Sequence, residues 1–212
     1  MLCCIFEVEK IEMKKITYIL AAILMMGCGQ DKRQLLGDTE FQRTKNAEFK
    51  DASTSPLKAK DRKGFSSLDF FTFDTTFVVT AQLKRTPDTE YFKMKTTTSR
   101  VSRERIYGVL TFNLNGETYE LNVYQGEEML EKKGYEDYLF LPFLDDTNGE
   151  STYAGGRYID LRIPEGDILS VDFNTAYNPY CAYNVKYSCP IVPRINYLPV
   201  AIEAGVKAFM KE

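Results

Sequence analysis

From Leu110 to Val123 the chain alternates apolar and polar residues on both sides of an Asn-Gly dipeptide. Leu110, Phe112 and Leu114 lead into Asn115-Gly116, and Tyr119, Leu121 and Val123 lead out. Residues two apart share one face of a strand, and Asn-Gly tolerates positive φ at both central turn positions, so this stretch predicts a two-residue type I′ hairpin. The same alternation, rich in aromatic and β-branched residues, begins beyond Gly64 and persists nearly to the end. It predicts strands over Thr76–Lys84, Tyr91–Thr97, Arg103–Asn113, Glu117–Tyr124, Tyr138–Leu144, Gly156–Ile163 and Ile168–Asn174, with a short one near Tyr197–Glu203. About eight short strands with turns at this spacing make a mainly β chain, an antiparallel β-sandwich or a small barrel rather than βαβ units.

Residues 30–62 read differently. Leu35, Leu36, Phe41, Phe49 and Leu57 punctuate a charged background that Ser55-Pro56 interrupts. This predicts a tether and then a short helical N-terminal lead, one helix followed by a second around Leu57–Lys63.

Further upstream, Ile16 to Met26 is an apolar run too short for the ~20 residues that a membrane-crossing helix needs. Met13, Lys14 and Lys15 precede it and Gly27-Cys28 follow it, the layout of a secretory signal. Leu24-Met25-Met26-Gly27-Cys28 resembles a bacterial lipobox, in which cleavage falls before a cysteine that then carries lipid. The expected organisation is a signal peptide over residues 1–27 with its true start at Met13, lipidated Cys28 and a tether over 28–40, and one domain over 41–212. The expected location is the cell envelope, with the membrane as partner through the N-terminal lipid. Gly29 after the cysteine favours the outer membrane, facing the periplasm or the cell surface. A plain signal peptide and a buried apolar helix are the alternatives.

Composition removes whole classes of chemistry. The 212 residues contain 0 His, which excludes imidazole triads, His-ligated zinc and His proton shuttles. Lys and Arg number 27 against 30 Asp and Glu, and no stretch gathers the positive residues into a face for a phosphate backbone, so nucleic acid is not an expected partner. No nucleotide loop, cofactor motif or metal-ligand spacing is present, and no cofactor or metal is expected. Of five Cys, Cys3 and Cys4 would leave with the signal and Cys28 would be acylated, leaving Cys181 and Cys189. An even remainder in an oxidising compartment predicts a disulfide, which would contribute roughly 2.5 kcal/mol by restricting the unfolded chain. Unpaired buried thiols and a two-thiolate metal site are the alternatives.

The densest segment runs from Phe140 to Asn196. It holds Leu139-Phe140-Leu141-Pro142-Phe143-Leu144-Asp145-Asp146-Thr147 and Thr152-Tyr153-Ala154-Gly155-Gly156-Arg157-Tyr158. It continues with Asp172-Phe173-Asn174-Thr175-Ala176-Tyr177-Asn178-Pro179-Tyr180-Cys181-Ala182-Tyr183-Asn184 and Cys189-Pro190-Ile191-Val192-Pro193. Together these runs resemble the bacterial and archaeal family called domain of unknown function 1684, and the likeness extends upstream through Ser55-Pro56-Leu57, Arg62, Phe65, Leu68, Phe70 and Phe71. It covers most of residues 40–207. Where that family shows Pro-Pro-Glu-Asn, this chain has Val192-Pro193-Arg194-Ile195-Asn196, so no role for the acidic residue carries over. The resemblance implies a domain boundary and a motif map without an activity.

Within these runs Asp145, Tyr153, Arg157, Asp172, Asn174, Tyr177, Asn178 and Tyr183 are the candidate ligand-binding groups. An Arg among carboxylates fits bidentate recognition of an acidic ligand, and fits an internal ion pair equally well. Asp145 and Asp172 on two sides of a cleft would suit acid and base work on a glycoside, while turn capping is the plainer role for Asp145 and Asp146. The reading is an envelope lipoprotein that binds a small or envelope-derived ligand. A hydrolase without His or metal and a purely structural lipoprotein are its rivals, and the oligomeric state stays open.

Overall fold

The computed structural model describes residues 36–209. The expected signal peptide, Cys28 and most of the tether lie outside these residues.

The first element is helix α1 (Glu40–Lys50), started by Thr39, whose hydroxyl accepts the Gln42 N–H at 3.2 Å. One face is buried through Gln42, Asn46 and Phe49. Asn46 fixes the helix to the domain, its side-chain oxygen accepting the Leu68 N–H at 2.7 Å. Phe49 packs edge-on against Tyr183, ring centroids 4.7 Å apart. Helix α2 (Ala59–Gly64) is short and has no buried residue.

Strands β1 (Val78–Arg85), β2 (Phe92–Lys95), β3 (Val101–Leu114), β4 (Glu117–Gly126), β5 (Tyr138–Asp145), β6 (Arg157–Arg162), β7 (Ile168–Asp172) and β8 (Tyr197–Leu198) follow, with a single-turn helix α3 (Glu127–Leu130) after β4. They form one 8-stranded sheet of order β6-β5-β4-β3-β1-β7, with β2 on β3 and β8 on β5. Every pairing is antiparallel except β5 with β8. The mainly β, antiparallel expectation holds, and the structure realises it as one curled sheet, a half-barrel. The hairpin turn is as expected, with φ of 53° at Asn115 and 87° at Gly116.

Two local features give this sheet two buried faces. In β3 the register steps from Ile106 opposite Tyr124 to Gly108 opposite Val123, which leaves Tyr107 as a bulge and inverts the alternation. Beyond the bulge, Leu110 and Phe112 join Leu121, Val123, Leu141 and Phe143 in the main core. Before it, Glu104 and Ile106 stand with Tyr124 on the opposite face, where Met94, Phe140, Tyr158 and Val192 form a second cluster. Strand β5 serves both, which is why Leu139-Phe140-Leu141-Pro142-Phe143 reads as an unbroken apolar run and is buried throughout.

Pro142 has no N–H, and β4 pairs with β5 only at Tyr124 and Phe140. Asn196 fills the gap. It is 0% exposed, accepts the Asn122 N–H at 3.0 Å and donates to the carbonyls of Asn122 and Pro142, each at 2.7 Å. The side-chain amide thus serves Asn122 as a backbone neighbour would.

Candidate functional site

Arg157 and Asp145 meet, but inside the protein. Both side chains are 0% exposed, and Arg157 Nη2 lies 2.9 Å from Asp145 Oδ2. The same nitrogen donates to the Ile202 carbonyl at 2.7 Å, and Nη1 donates to the Ala204 carbonyl. Asp145 Oδ1 accepts the N–H groups of Thr147 at 2.9 Å and Ile202 at 3.2 Å. Gly156 at φ +86° delivers the arginine, since a Cβ there would stand 2.6 Å from the Phe143 carbonyl. The pair therefore holds the C-terminal segment onto the core, and neither group offers a surface to a ligand.

The other predicted residues divide. Asp172 accepts the Asn174 N–H at 2.9 Å and its side-chain amide at 2.8 Å, capping a 3-10 turn over Phe173–Thr175, and Asn174 also donates to the Asp74 carbonyl at 2.9 Å. Asp145 and Asp172 thus serve two separate structural networks, not the two sides of a cleft. Asn178 donates to the Tyr183 hydroxyl at 3.2 Å and the Lys207 carbonyl at 2.8 Å beneath α1. None of the eight lines the hollow of about 510 Å³ beside α2 or the one of about 370 Å³ around Phe73.

Tyr177 does reach a distinctive place, the second face of the sheet, and Tyr153 lies at its edge beside Cys181. There Asp160 Oδ1 accepts the hydroxyls of Tyr138 at 2.8 Å and Tyr177 at 2.6 Å. Tyr158 packs edge-on to Phe140 at 4.7 Å and to Tyr177 at 5.9 Å. Lys45 from α1 stands 4.6 Å above the Tyr177 ring, a cation-π contact. Burial first, and then the Asp160 charge, hold the Tyr138 phenol far above its ordinary pKa, so it stays protonated.

Glu104 is the polar group of this face that the sequence analysis missed. It is 6% exposed; Oε1 accepts the Ser102 hydroxyl at 2.6 Å, and Oε2 has no hydrogen-bond partner among the described residues. Its cross-strand neighbour is Gly126, where a Cβ would come 3.2 Å from the carboxylate oxygens. Burial raises its pKa against the Ser102 hydrogen bond, and Glu128 adds to the rise. Asp160 was missed as well. Its carboxylate is exposed at the rim of the face, where it reads like any solvated strand residue until Tyr138 and Tyr177 are brought to it.

At the edge of the face the bridge expected between Cys181 and Cys189 is not formed. Both are free thiols, and Cys189 Sγ accepts the Cys181 N–H at 3.3 Å. Among the described residues no group of three or more His, Cys, Asp or Glu is placed to hold a metal ion.

The profile described as Protein of unknown function (DUF1684) matches residues 63–207. The solution NMR structure of an uncharacterised protein from gene locus rrnAC0354 of Haloarcula marismortui is similar, with 32% identity and a TM-score of 0.62 over 78% of this chain and 89% of that one. No curated protein matches this chain.

Two outcomes follow from this geometry. Asp145→Ala leaves a buried guanidinium without its counter-charge and lowers stability in urea unfolding by about 3–5 kcal/mol, whereas Asp172→Ala removes a cap and costs about 1 kcal/mol. Equal losses would mean that the ion pair does not hold the core. For Glu104 the folded pKa lies above the unfolded one, so its contribution is fully present below the unfolded pKa and is lost as pH rises through the folded value. Relative to Glu104→Gln, the wild type therefore weakens progressively above about pH 4.5, and a pH-independent difference would contradict the assignment.

Proposed function

The chain belongs to the family described as Protein of unknown function (DUF1684), which brings no activity with it, and we propose that it is a lipid-anchored envelope protein that binds a small ligand on the second face of its sheet. The observation that carries the binding site is Glu104, a carboxyl group nearly sealed from water with one oxygen unused. A buried acceptor without a partner costs about 1–3 kcal/mol, a cost that a ligand N–H or O–H would relieve. Tyr124, Tyr138, Tyr158 and Tyr177 supply ring surface beside it, and Asp160 supplies a second acceptor. The ligand is a small polar molecule with an amine or hydroxyl donor and an apolar flank. The free carboxylate oxygen and the ring faces recognise such a ligand by hydrogen bonding and stacking.

Anchoring rests on the sequence alone. The basic start, short apolar run and Gly27-Cys28 junction support lipidation, and Gly29 supports retention at the outer membrane.

Membrane fractions test the anchor. Wild type sediments with membranes and Cys28→Ala moves to the soluble fraction; retention of the variant would overturn lipidation. Native mass spectrometry of full-length protein released in mild detergent tests the site. Wild type carries a non-covalent adduct that denaturation removes, and Glu104→Gln, which places a donor where the acceptor was, loses it. A bare wild-type chain, or equal adducts on both, would overturn the binding reading.

A further inference from the structure

Cys181 and Cys189 come from two parts of the chain that are held in different ways. Cys189 is fixed. Its N–H donates to Thr97 Oγ1 at 3.1 Å, its carbonyl accepts the Thr97 N–H at 2.9 Å, and the next residue, Pro190, bridges to Thr96 beyond β2. It is 7% exposed. Cys181 is half-buried in a single 3-10 turn, Tyr180–Ala182, between Pro179 and Tyr183.

Thr97 and Tyr153 lie beside the two thiols. The Cys181 N–H is in turn donated to Cys189 Sγ. Donors aimed at one sulfur favour its thiolate, and burial of the other favours its thiol. The Cys189 hydrogen bond, outweighing burial and helped by Thr97 and Tyr153, pulls Cys181 down to about 6. Donating that same bond, together with burial, pushes Cys189 far above the ordinary thiol range. A more exposed thiolate beside a buried thiol is the asymmetry of an attacking and a resolving cysteine.

We propose that Cys181 and Cys189 form a thiol–disulfide exchange site that takes small organic disulfides, with Cys181 attacking and Cys189 resolving. The Cys181 thiolate attacks one sulfur of R–S–S–R′, forming a Cys181–S–S–R bond and releasing R′–S⁻. With the Cys181 charge consumed in the mixed disulfide, Cys189 is no longer held protonated by it; it gives its proton to the departing thiolate, and its sulfur attacks the Cys181 sulfur, closing the Cys181–Cys189 disulfide and releasing R–S⁻. The organic disulfide is the oxidant; it gains two electrons and leaves as one thiol, R′–SH, and one thiolate, R–S⁻, while the two protein cysteines lose two. Tyr153 and Thr97 are positioning residues that hold the thiolate ready.

The inference is independent of the ligand on the second face and of the lipid. Its test uses full-length reduced protein with oxidised glutathione as the probe, followed by acid quenching and peptide mass mapping, so that Cys3, Cys4 and Cys28 are scored separately. Wild type ends with an internal Cys181–Cys189 bridge and no glutathione on either residue. Cys189→Ser, which keeps a hydroxyl donor, accumulates glutathione on Cys181, and Cys181→Ser leaves Cys189 unmodified over the same time. At pH 6, iodoacetamide alkylates Cys181 of the Cys189→Ser variant roughly tenfold faster than N-acetylcysteine, because a larger thiolate fraction outweighs lower intrinsic nucleophilicity. Tyr153→Phe moves the alkylation midpoint to higher pH without changing the circular dichroism spectrum. Equal, slow reaction of both cysteines, or glutathione trapped on wild-type Cys181 without closure, would overturn the proposal.

Discussion

The buried pair of Arg157 and Asp145 is the interaction on which the closed end of the sheet depends. Removing both charges from water is costly, and their attraction alone does not return that cost. Hydrogen bonds tip the balance. The guanidinium satisfies the carbonyls of Ile202 and Ala204, and the carboxylate satisfies the N–H groups of Thr147 and Ile202. The segment carrying Ile202 and Ala204 is not part of any strand, yet both side chains are 0% exposed in the main core. Without a ladder partner its polar backbone could not be buried, so the ion pair does for this segment what a neighbouring strand does elsewhere. Arg157 Nε is left unpartnered, and the guanidinium lies 5.2 Å from the Phe143 ring centroid, which gives the charge a polarisable neighbour on its apolar side.

A second constraint sits in the sheet. Were β3 regular, Glu104 and Leu110 would face the same side, and a carboxyl group would point into the main core. The extra residue at Tyr107 sends the two halves of one strand to opposite faces. Pro142 then prevents continuous pairing of β4 with β5, and Asn196 restores the missing hydrogen bonds. Both irregularities flank the second face. The backbone accepts local costs there to assemble polar groups that a regular sheet would have left in water, as functional surfaces commonly do.

These irregularities also mark where the sequence stops being legible. Period-two alternation located all eight strands to within a few residues, and Asn115-Gly116 located the hairpin, because both signals are local. The ion pair was half legible. Arg157 among carboxylates could be read as ligand recognition or as an internal bridge, and only burial separates the two. Glu104 was not legible. It stands in Arg103-Glu104-Arg105, which reads as a solvated strand edge, and nothing local announces that Tyr107 will bulge or that Gly126 will leave room opposite. Asp160 was hidden for the same reason, since its neighbour Tyr177 arrives from a segment beyond β7. Pairings across the sheet decide these positions, and no single stretch of chain contains them.

The second face and the thiol pair at its edge show one environment acting in opposite directions on two acids. Tyr158 touches both regions, packing on Phe140 and Tyr177 while its hydroxyl donates to the Pro190 carbonyl beside Cys189. Glu104 receives a single hydrogen bond, so desolvation prevails and its pKa rises. At Cys181 hydrogen bonding with Cys189 outweighs burial, and the pKa falls to about 6. Burial alone would have made both groups inert. The balance of hydrogen bonding against desolvation decides in which direction each acid is moved.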